Sequence, residues 1–326
     1  GEKTFTHFTT SNSPLTHNSV STLTAADRIL WIGTWGGGVY WLDMDNPDRL
    51  NRLEVQPQYA RIISHIGALA YDKLNNGLWI GSNDGIFFYD SRSRKLLMPF
   101  EGCNLVRGCI GSLIDSNDRL WMGCITGMRV INLRSRKKGK FSCDSYVYKL
   151  DNPDSRLIDK ITSFCETRDS SIYIGSNGNG IYRLTGVHNG RMTFKCYTTQ
   201  DGLANNGVKG IVEGSYGRLW IATNNGLSVM NPKDEAFSNY GEVEGLLCNK
   251  FYWNAAVCEG NRIYLGSEKG LTSINVDEMA ISSAEKVVLT NLNVDNMPIL
   301  SGSRFIDGDI STAKRITLHE SDKSFE

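Results

Sequence analysis

The sequence predicts an all-β fold, a β-propeller whose blades have four strands each. A short segment recurs six times: an apolar residue, Trp or Tyr, a second apolar residue, usually Gly, and a polar loop that contains Gly. Its aromatic residues are 42 to 52 residues apart, a period typical of propellers and other repeat arrays. The chain also lacks capped helical periodicity, and its 33 glycines far outnumber its 7 prolines. The aromatic residues of the copies are Trp31, Trp79, Trp121, Tyr173, Trp220 and Tyr264.

Every repeat has the same predicted order of elements. It begins with a short alternating strand, continues through a polar turn of the kind that joins antiparallel strands, and reaches the aromatic strand. A Gly-containing loop then leads to a third strand and a less regular fourth strand. First strands are predicted at residues 19–23, 66–70, 109–114, 161–164, 208–212 and 255–258. Fourth-strand candidates are residues 4–8, 146–150 and 192–197.

Alternation in the aromatic strand predicts that both of its faces are buried. Trp31 and Gly33 share one face, whereas Leu30 and Ile32 share the other. Glycine beside the aromatic residue lets an adjacent sheet approach closely. We therefore expect the six aromatic residues to be structural and the propeller to have six or seven blades. Phe5 to Phe8 should add a strand to the last blade and close the propeller.

The repeat resembles that of a known family. Leu30–Gly33, Leu78–Gly81 and Leu219–Ile221 carry the "LWIG" core, and residues 200–208 match the family's Asp-Gly-Leu linker into a new blade. The pattern is similar to the regulator-propeller (two-component regulator propeller) repeat, over residues 1–276. The copies depart from it at Tyr173 and Tyr264, which replace Trp, and at Ala222, which replaces Gly.

This resemblance implies a function. The family's propellers form the periplasmic sensor region of hybrid two-component regulators of Bacteroides-type bacteria, which are inner-membrane proteins. It implies detection of an oligosaccharide ligand, a signal passed to a membrane-spanning histidine kinase, and a non-enzymatic fragment of a longer receptor. The implied partners are a neighbouring propeller and an immunoglobulin-like domain of the same chain, with a homodimer as an open alternative.

The period stops after Ile274. Residues 286–294 and 315–319 have the composition of two further strands and resemble the start of the immunoglobulin-like domain that follows these propellers. We therefore predict a propeller over residues 1–276, and a linker with the first strands of a truncated sandwich over residues 277–326. The alternative is that these strands complete a blade.

Composition and cysteine spacing restrict the function classes. Lys plus Arg and Asp plus Glu each total 35, so the neutral chain lacks the basic footprint of a nucleic-acid binder. The eight cysteines form no CxxC motif, which disfavours a zinc ribbon. Cys165 and Cys258 fit buried apolar positions. Cys109 and Cys124 lie in neighbouring strand-like segments, where a disulfide could form.

No motif indicates catalysis, a metal or a cofactor. The five histidines form no HExxH motif, and neither a nucleophile elbow nor a P-loop is present. Residues 43–48 faintly resemble the start of a calcium loop but lack its Gly and bidentate Glu, so a solvated turn is the preferred interpretation. The basic segment 134–140 is expected to be surface charge in a solvated loop, with a polyanion contact as the alternative.

The loops between the second and third strands should share one face of the propeller. Their polar side chains and one Trp suit sugar recognition, by hydrogen bonds to hydroxyl groups and stacking on the sugar. The alternative is that Asn and Asp are present because they favour turns. The loop candidates are Trp35, Asn83, Asp84, Thr126, Asn177, Asn179, Asn224, Asn225, Glu268 and Lys269. Linker residues expected on the same face are His17, Asn18, Asn205 and Asn206.

Two rival functions stay open. Propeller enzymes, including streptogramin-type lyases and glycosidases, have a similar architecture, and a glycosidase needs two carboxylates on different blades. The candidates at the ends of the first strands are Asp115, Glu166, Glu213 and Glu259. The third class is a protein-interaction scaffold.

Overall fold

The computed structural model divides the chain into two compact units, Gly1–Asp277 and Glu278–Glu326. It describes residues 5–100, 107–147, 160–188, 191–278, 291–295, 297–300, 303–306, 310, 315–318 and 324.

Six antiparallel sheets follow one another along the first unit, and five of them have four strands in chain order. Blades 1 and 2 comprise β1 (Val20–Ala26), β2 (Ile29–Thr34), β3 (Gly38–Asp43), β4 (Asn46–Arg52), β5 (Ile66–Asp72), β6 (Gly77–Ser82), β7 (Gly85–Asp90) and β8 (Lys95–Leu97). Blades 3 and 4 comprise β9 (Gly111–Ile114), β10 (Arg119–Cys124), β11 (Gly127–Lys137), β12 (Lys140–Val147), β13 (Ile161–Glu166), β14 (Ile172–Ser176), β15 (Ile181–His188) and β16 (Arg191–Tyr197). Blades 5 and 6 comprise β17 (Val208–Glu213), β18 (Leu219–Thr223), β19 (Leu227–Asn231), β20 (Ala236–Tyr240), β21 (Phe251–Glu259), β22 (Arg262–Ser267) and β23 (Gly270–Asn275).

The prediction of an all-β propeller with six repeats is confirmed. The described residues contain only single turns of 3-10 helix, at Pro57–Tyr59, Thr199–Asp201 and Ser215–Gly217. The first strand of each blade packs against the first strand of the next blade, from blade 1 through to blade 6. The first strands therefore surround a common centre, as the four-stranded repeat predicts.

The sixth blade has three strands in the described part of the chain, so the expected strand at Phe5–Phe8 is wrong. Phe5 is 92 % exposed, while Phe8 packs with Leu15 against blade 1. Residues 9–13 form a turn whose polar side chains bond to its own backbone, with Asn12 accepting from the Thr9 amide. This turn directs the segment onto blade 1 instead of blade 6. The predicted fourth strand at 146–150 coincides with the end of β12, and residues 148–150 lie outside the described residues.

The hydrophobic core lies between blades, because alternate residues of every strand face opposite neighbours. Trp79 and Phe88 of blade 2 face blade 3, where they pack with Leu120 and Ile131. The residues that alternate with them along β6 and β7, such as Ile80, face blade 1. Trp79, Trp121 and Trp220 have no exposed surface, Tyr173 is 1 % exposed, and Trp31 is 8 % exposed. Each of blades 2 to 5 thus supplies half of two adjacent cores.

Blades 1 and 6 differ from the others because each packs against one neighbour. Among the described residues, strand packing of the extent seen between successive blades does not join blade 1 to blade 6. On blade 6, Ile263 and Leu265 face blade 5 and are fully buried, whereas Val257 and Leu271 on the opposite face are 56 % and 67 % exposed. Tyr264 shares that open face and is therefore only partly buried.

The second unit has a small apolar cluster of its own. Leu292, Val294 and Ile306 are buried together, and a two-stranded ladder joins β24 (Asn293–Val294) to β25 (Met297–Pro298). The immunoglobulin-like assignment of this unit stays a prediction, and residues 286–290 and 319 fall outside the described residues. Within the described part of the chain, no helix has the length and apolar character needed to cross a membrane.

Candidate functional site

In five of the six blades, one hydroxyl shapes the loop between the second and third strands. In five blades the last residue of the second strand is Thr or Ser, and its hydroxyl donates to the carbonyl of the loop glycine at 2.7–3.3 Å. In four of these blades the same hydroxyl oxygen accepts a loop amide at 2.9–3.1 Å. The hydroxyls belong to Thr34, Ser82, Ser176, Thr223 and Ser267. This role was not among the sequence predictions, although the sequence carries its signal, a Ser or Thr directly after the repeat's Gly or Ala.

Backbone hydrogen bonds fix these loops beside the segments that lead into the first strands. The Trp35 amide donates to the Ser19 carbonyl, and the Asn224 amide donates to the Gly207 carbonyl. A second bond reaches the next blade, as from Gly226 to Asn249. The loops and the leading segments therefore share one face of the propeller, which we call the loop face.

Five asparagines of the loop face have exposed or partly exposed side chains, and the amide of one of them, Asn224, lies against Gly207. All lie in the loops, all are partly or fully exposed, and none of their side-chain amides bonds to a described residue. They are Asn83, Asn177, Asn179, Asn224 and Asn225. The loop backbone is held by the Ser and Thr hydroxyls and by neighbouring strands, so these amides are not needed to build the turns.

The linker residues expected on the same face have structural roles instead. Asn205 accepts the Gly207 amide at 2.8 Å, and Asn206 accepts the Thr199 amide at 2.8 Å. Asn18 accepts the Thr10 amide at 2.9 Å, and the Nδ1 atom of His17 accepts the Ser19 amide at 3.1 Å. Their side chains hold the leading segments in place.

Trp35 stands on the loop face of blade 1 with 44 % of its surface exposed. Its ring meets the His65 ring edge-on, with 5.6 Å between centroids and an angle of 90°. This contact with blade 2 orients the indole while leaving area for stacking. Asp84, Thr126, Glu268 and Lys269 are exposed in the equivalent loops. Of these, Lys269 pairs with Glu242 at 3.2 Å.

A second exposed aromatic group lies nearer the centre of the loop face and was missed from the sequence. In β21 the register jumps between Phe251 and Ala256, so the intervening residues bulge from the ladder. Trp253 in this bulge is 41 % exposed, with the ammonium groups of Lys160 and Lys209 at 3.6 and 4.5 Å from its ring centroid. Burial, and secondarily the charge of Lys160, lowers the pKa of Lys209.

The bulge also reaches across the centre of the propeller. Asn254, in a left-handed conformation at φ 54°, donates to the Ile110 carbonyl of blade 3 at 2.5 Å. The alternation in residues 255–258 gives no sign of the extra residues before them, because nothing in the local pattern marks a register shift.

The four carboxylates considered for catalysis lie on the opposite face, at the turns between first and second strands. Asp115 is 3 % exposed and accepts from the Trp121 indole at 2.8 Å and from Arg119 at 2.7 Å. Glu166 accepts the Ser116 amide of the preceding blade. Glu213 likewise accepts the Arg168 amide of the preceding blade. These carboxylates join structural elements.

The exposed carboxylate Glu259 ends β21 beside the turn into β22. Three of the four candidates thus have structural hydrogen bonds.

The basic segment differs from the expected solvated loop. Arg134 and Arg136 belong to the long strand β11, and Arg136 pairs with Asp90 of blade 2 at 2.5 Å. The Arg136 guanidinium also lies over the Phe88 ring, 5.0 Å from its centroid. Lys140 donates to the Met98 carbonyl at 2.8 Å. The segment is ordered because it connects blade 3 to blade 2.

Two surface features remain, the acidic residues 43–48 and a cleft between blades 3 and 4. Residues 43–48 are the end of β3, a two-residue turn and the start of β4, instead of the single solvated turn expected from the sequence. Asp45 in the turn pairs with Arg28, and its amide donates to Asp43. No three His, Cys, Asp or Glu side chains come together to hold a metal ion in the part of the chain that the structure describes. A shallow cleft of about 450 Å³ lies between the outer strands of blades 3 and 4, lined in part by Arg119, Arg134 and Asp144.

Comparison with known proteins identifies the repeat. Residues 202–225 match the family described as the two-component regulator propeller. They contain the leading segment of blade 5, its first two strands and the start of its loop. The chain carries a regulator-propeller repeat. The resemblance stated from the sequence is therefore confirmed, and the polar loop of this regulator-propeller blade contains Asn224 and Asn225.

The chain is also similar to a protein named as a histidine kinase. Histidine kinase P4 of Formosa agariphila is 24 % identical over 283 residues, covering 83 % of this chain and 20 % of that protein. The chain thus spans about a fifth of the length of this curated relative.

Solved structures share the propeller fold. The extracellular domain of BT4673 from B. thetaiotaomicron, named as a one component system, has a TM-score of 0.61 at 16 % identity, over 90 % of this chain and 46 % of that chain. That of BT3049, from the same organism and named as a hybrid two component system, has a TM-score of 0.50 at 20 % identity, over 90 % and 45 %. Virginiamycin B lyase of Staphylococcus aureus has a TM-score of 0.53 at 15 % identity, over 78 % and 84 %. At these identities the similarity shows the fold alone.

Proposed function

We propose that this chain is part of the periplasmic sensor region of a hybrid two-component regulator. In this role it binds an oligosaccharide derived from a glycan, and the longer receptor passes the signal to a membrane-spanning histidine kinase. The regulator-propeller repeat, the similarity to a histidine kinase and the fold shared with extracellular domains support the proposal. The fragment acts by binding and performs no reaction.

The observation that carries the proposal is the loop face of the propeller. It combines five asparagine side chains, all exposed or partly exposed, with the half-exposed indole of Trp35. An amide supplies both a donor and an acceptor, and sugar hydroxyls need both. An aromatic face on a rigid element supplies apolar area for the C–H face of a sugar ring. The amides lie in the loops of blades 2, 4 and 5, which suits a ligand long enough to contact more than one blade.

Binding can be tested by thermal shift and calorimetry with a panel of defined oligosaccharides. A ligand that binds the folded state raises the melting temperature by mass action. We expect Trp35→Ala and the double variant Asn224→Ala/Asn225→Ala to weaken binding while keeping the melting temperature of the free protein. Tyr216→Ala is the matched control, because Tyr216 is an exposed aromatic residue in a turn of the opposite face.

The outcome that contradicts this site is binding that survives both loop-face variants, or binding lost equally in the Tyr216 variant. Binding by the intact receptor region alone would place the site outside this chain.

The rival function is an enzyme, because virginiamycin B lyase has a similar fold. Turnover of an oligosaccharide or a lyase substrate by the purified protein, abolished by Glu259→Gln, would replace the sensor proposal with that rival.

A further inference from the structure

One cross-strand pair is chemically different in blade 3. In the other five blades the pair that precedes the first-strand bulge joins an apolar residue of the first strand to the Ser or Thr that shapes the loop. These pairs are Val20–Thr34, Ile66–Ser82, Ile161–Ser176, Val208–Thr223 and Phe251–Ser267. The register of blade 3, with Gly111 opposite Gly123, places Cys109 and Cys124 at the equivalent positions.

Cys109 replaces the apolar residue of the pair and Cys124 replaces the Ser or Thr, and the two side chains are in contact. A cysteine at Cys124 alone would remove the hydroxyl that shapes the loop, and a cysteine at Cys109 alone would remove apolar volume. Together they put two sulfur atoms 3.5 Å apart, as free thiols in this structure, with Cys109 1 % and Cys124 0 % exposed. The β9–β10 ladder ends at Gly111 and Gly123, and the Ile110 amide donates to the Gly123 carbonyl at 2.9 Å, so the backbone beside both cysteines keeps the spacing of paired strands. Directly opposed residues of an antiparallel ladder have Cα atoms about 4.5–5.5 Å apart. That distance lies inside the range of about 4.4–6.8 Å that a disulfide spans.

We infer that Cys109 and Cys124 are joined by a disulfide that closes the loop-face end of blade 3. In the reduced chain the pair has no hydroxyl to bridge Cys124 to the loop. The covalent bond takes over that function by fixing the end of β10 to the segment that leads into β9. The inference is independent of the ligand proposed above, since it concerns how one loop is held.

The reaction is a thiol–disulfide exchange with an external disulfide as the oxidant. One cysteine thiolate attacks that disulfide, forms a mixed disulfide and releases one thiol. The second cysteine, after losing its proton, attacks the mixed disulfide at the first cysteine's sulfur and releases the second thiol. Two protein thiols are oxidised and one external disulfide is reduced to two thiols.

The burial of the pair restricts when this exchange can occur. The hydrogen bond to Cys109, and then burial, hold the pKa of the Cys124 thiol well above its usual range. Thiolate is therefore scarce in the folded, reduced protein, and the external disulfide has no access to sulfur atoms covered by Ala68 and Met122. The bond accordingly forms while blade 3 is still open, during folding.

The test is refolding of the reduced, denatured chain in a buffer of reduced and oxidised glutathione. The refolded protein is alkylated without reduction, digested and analysed by mass spectrometry. We expect a linked peptide containing Cys109 and Cys124, lighter by two hydrogen atoms than its separate halves. The wild-type melting temperature should be higher without reductant than with it. Oxidised glutathione added to folded, reduced protein should produce the linked peptide far more slowly.

The double variant Cys109→Ile/Cys124→Ser is the matched control, because it recreates the pairs of blades 2 and 4. It should fold, and it should lose the difference in melting temperature that the pair causes. Alkylation of both cysteines in the non-reduced, refolded wild type would overturn the inference. So would a linked peptide that joins Cys124 to the nearby Cys143, or an equal redox shift in the double variant.

Discussion

Single hydrogen bonds distinguish the buried tryptophans of the repeats from one another. The indole N–H of Trp79 donates to Asp72 and that of Trp121 donates to Asp115, at 3.2 and 2.8 Å. Ala26 and Gly214 occupy the equivalent positions in blades 1 and 5, and the indole N–H groups there have no partner within the described structure. The repeat thus preserves the aromatic volume and varies its polar partner.

Replacing Asp115 by Asn tests the value of this partner. Asp115 accepts from an indole, from Arg119 and from two backbone amides, all while nearly fully buried. Removing the charged partner of a buried group destabilises a protein by about 1–3 kcal/mol. Asp115→Asn should therefore lower the free energy of unfolding by about 1–3 kcal/mol. Asp118→Asn is the control, since Asp118 forms an exposed ion pair with Arg134. Equal midpoints for the two variants in urea would contradict the assigned role.

The two classes of tryptophan should respond differently to truncation. Trp79 is fully buried among the rings of Phe88 and Phe141, so Trp79→Ala should lower the free energy of unfolding by about 3–5 kcal/mol. Trp35→Ala should cost well under that, because nearly half of its side chain is already exposed. Urea melts measure both values. Similar costs would show that Trp35 is a core residue and not a surface for a ligand.

At the scale of elements, each loop depends on the residue that ends its second strand. Thr223 both donates to the Gly226 carbonyl and accepts the Asn225 amide. Thr223→Val keeps the volume and leaves the Asn225 amide without its acceptor, while the Gly226 carbonyl keeps the Thr223 backbone amide as a donor. The lost bonds should cost about 1–3 kcal/mol. Thr223→Ser keeps both bonds and should retain most of the stability. Thermal melts compare the two, and a valine variant as stable as the serine variant would refute the role of the hydroxyl.

Connections between outer strands make stability dependent on pH. Burial raises the pKa of Asp90, but the hydrogen bonds from Arg136 and from the Ser93 and Arg92 amides outweigh it, so its pKa lies below the ordinary 3.8. A depressed carboxyl pKa contributes stability that is complete above the unfolded pKa and is lost as the pH falls through the folded value. Asp90→Asn should therefore flatten the loss of stability below about pH 4. Urea midpoints from pH 7 to pH 3 measure this, and an unchanged slope would exclude the Asp90–Arg136 pair as its source.

At the scale of the whole molecule, the two faces of blade 6 give a matched comparison. Leu265 faces blade 5 without exposed surface, and Leu271 on the open face is 67 % exposed. Leu265→Ala should cost about 2–5 kcal/mol, as buried leucines do. Leu271→Ala should change the free energy of unfolding by about 0.5 kcal/mol or less. A large cost for Leu271→Ala in denaturant melts would mean that another surface covers this face in solution.

The fold was predictable because the same pattern of apolar and polar residues occurs in six copies of the repeat. Alternation around Trp79 or Trp121 places each sheet between two others, and this arrangement follows from short-range pattern alone. The partial exposure of Tyr264 could not be predicted. The strand of Tyr264 has the same sequence pattern as the other aromatic strands, and this pattern does not say whether another blade covers its outer face. The Trp253 bulge depends on strand register, which composition does not encode.

The candidate site was predictable to a smaller degree. Loop positions such as Asn224 and linker positions such as Asn206 have the same composition, and only hydrogen bonding separates the solvent-facing amide from the structural one. The cross-blade bonds of Glu166 and Glu213 join residues about one repeat apart, which local pattern does not connect. Hydrogen bonds between two blades could therefore be identified only from the structure.

In the described part of the chain, blades 1 and 6 each pack extensively against one other blade, and this sets the order in which the propeller opens. In an array whose units are stabilised mainly by adjacent units, an end unit has one stabilising interface and an inner unit has two. Local unfolding should therefore begin at both ends and move inward, with blades 3 and 4 opening last. Amide hydrogen exchange would register this as a gradient of protection along the chain, highest in β10 and β14 and lowest in β2 and β22.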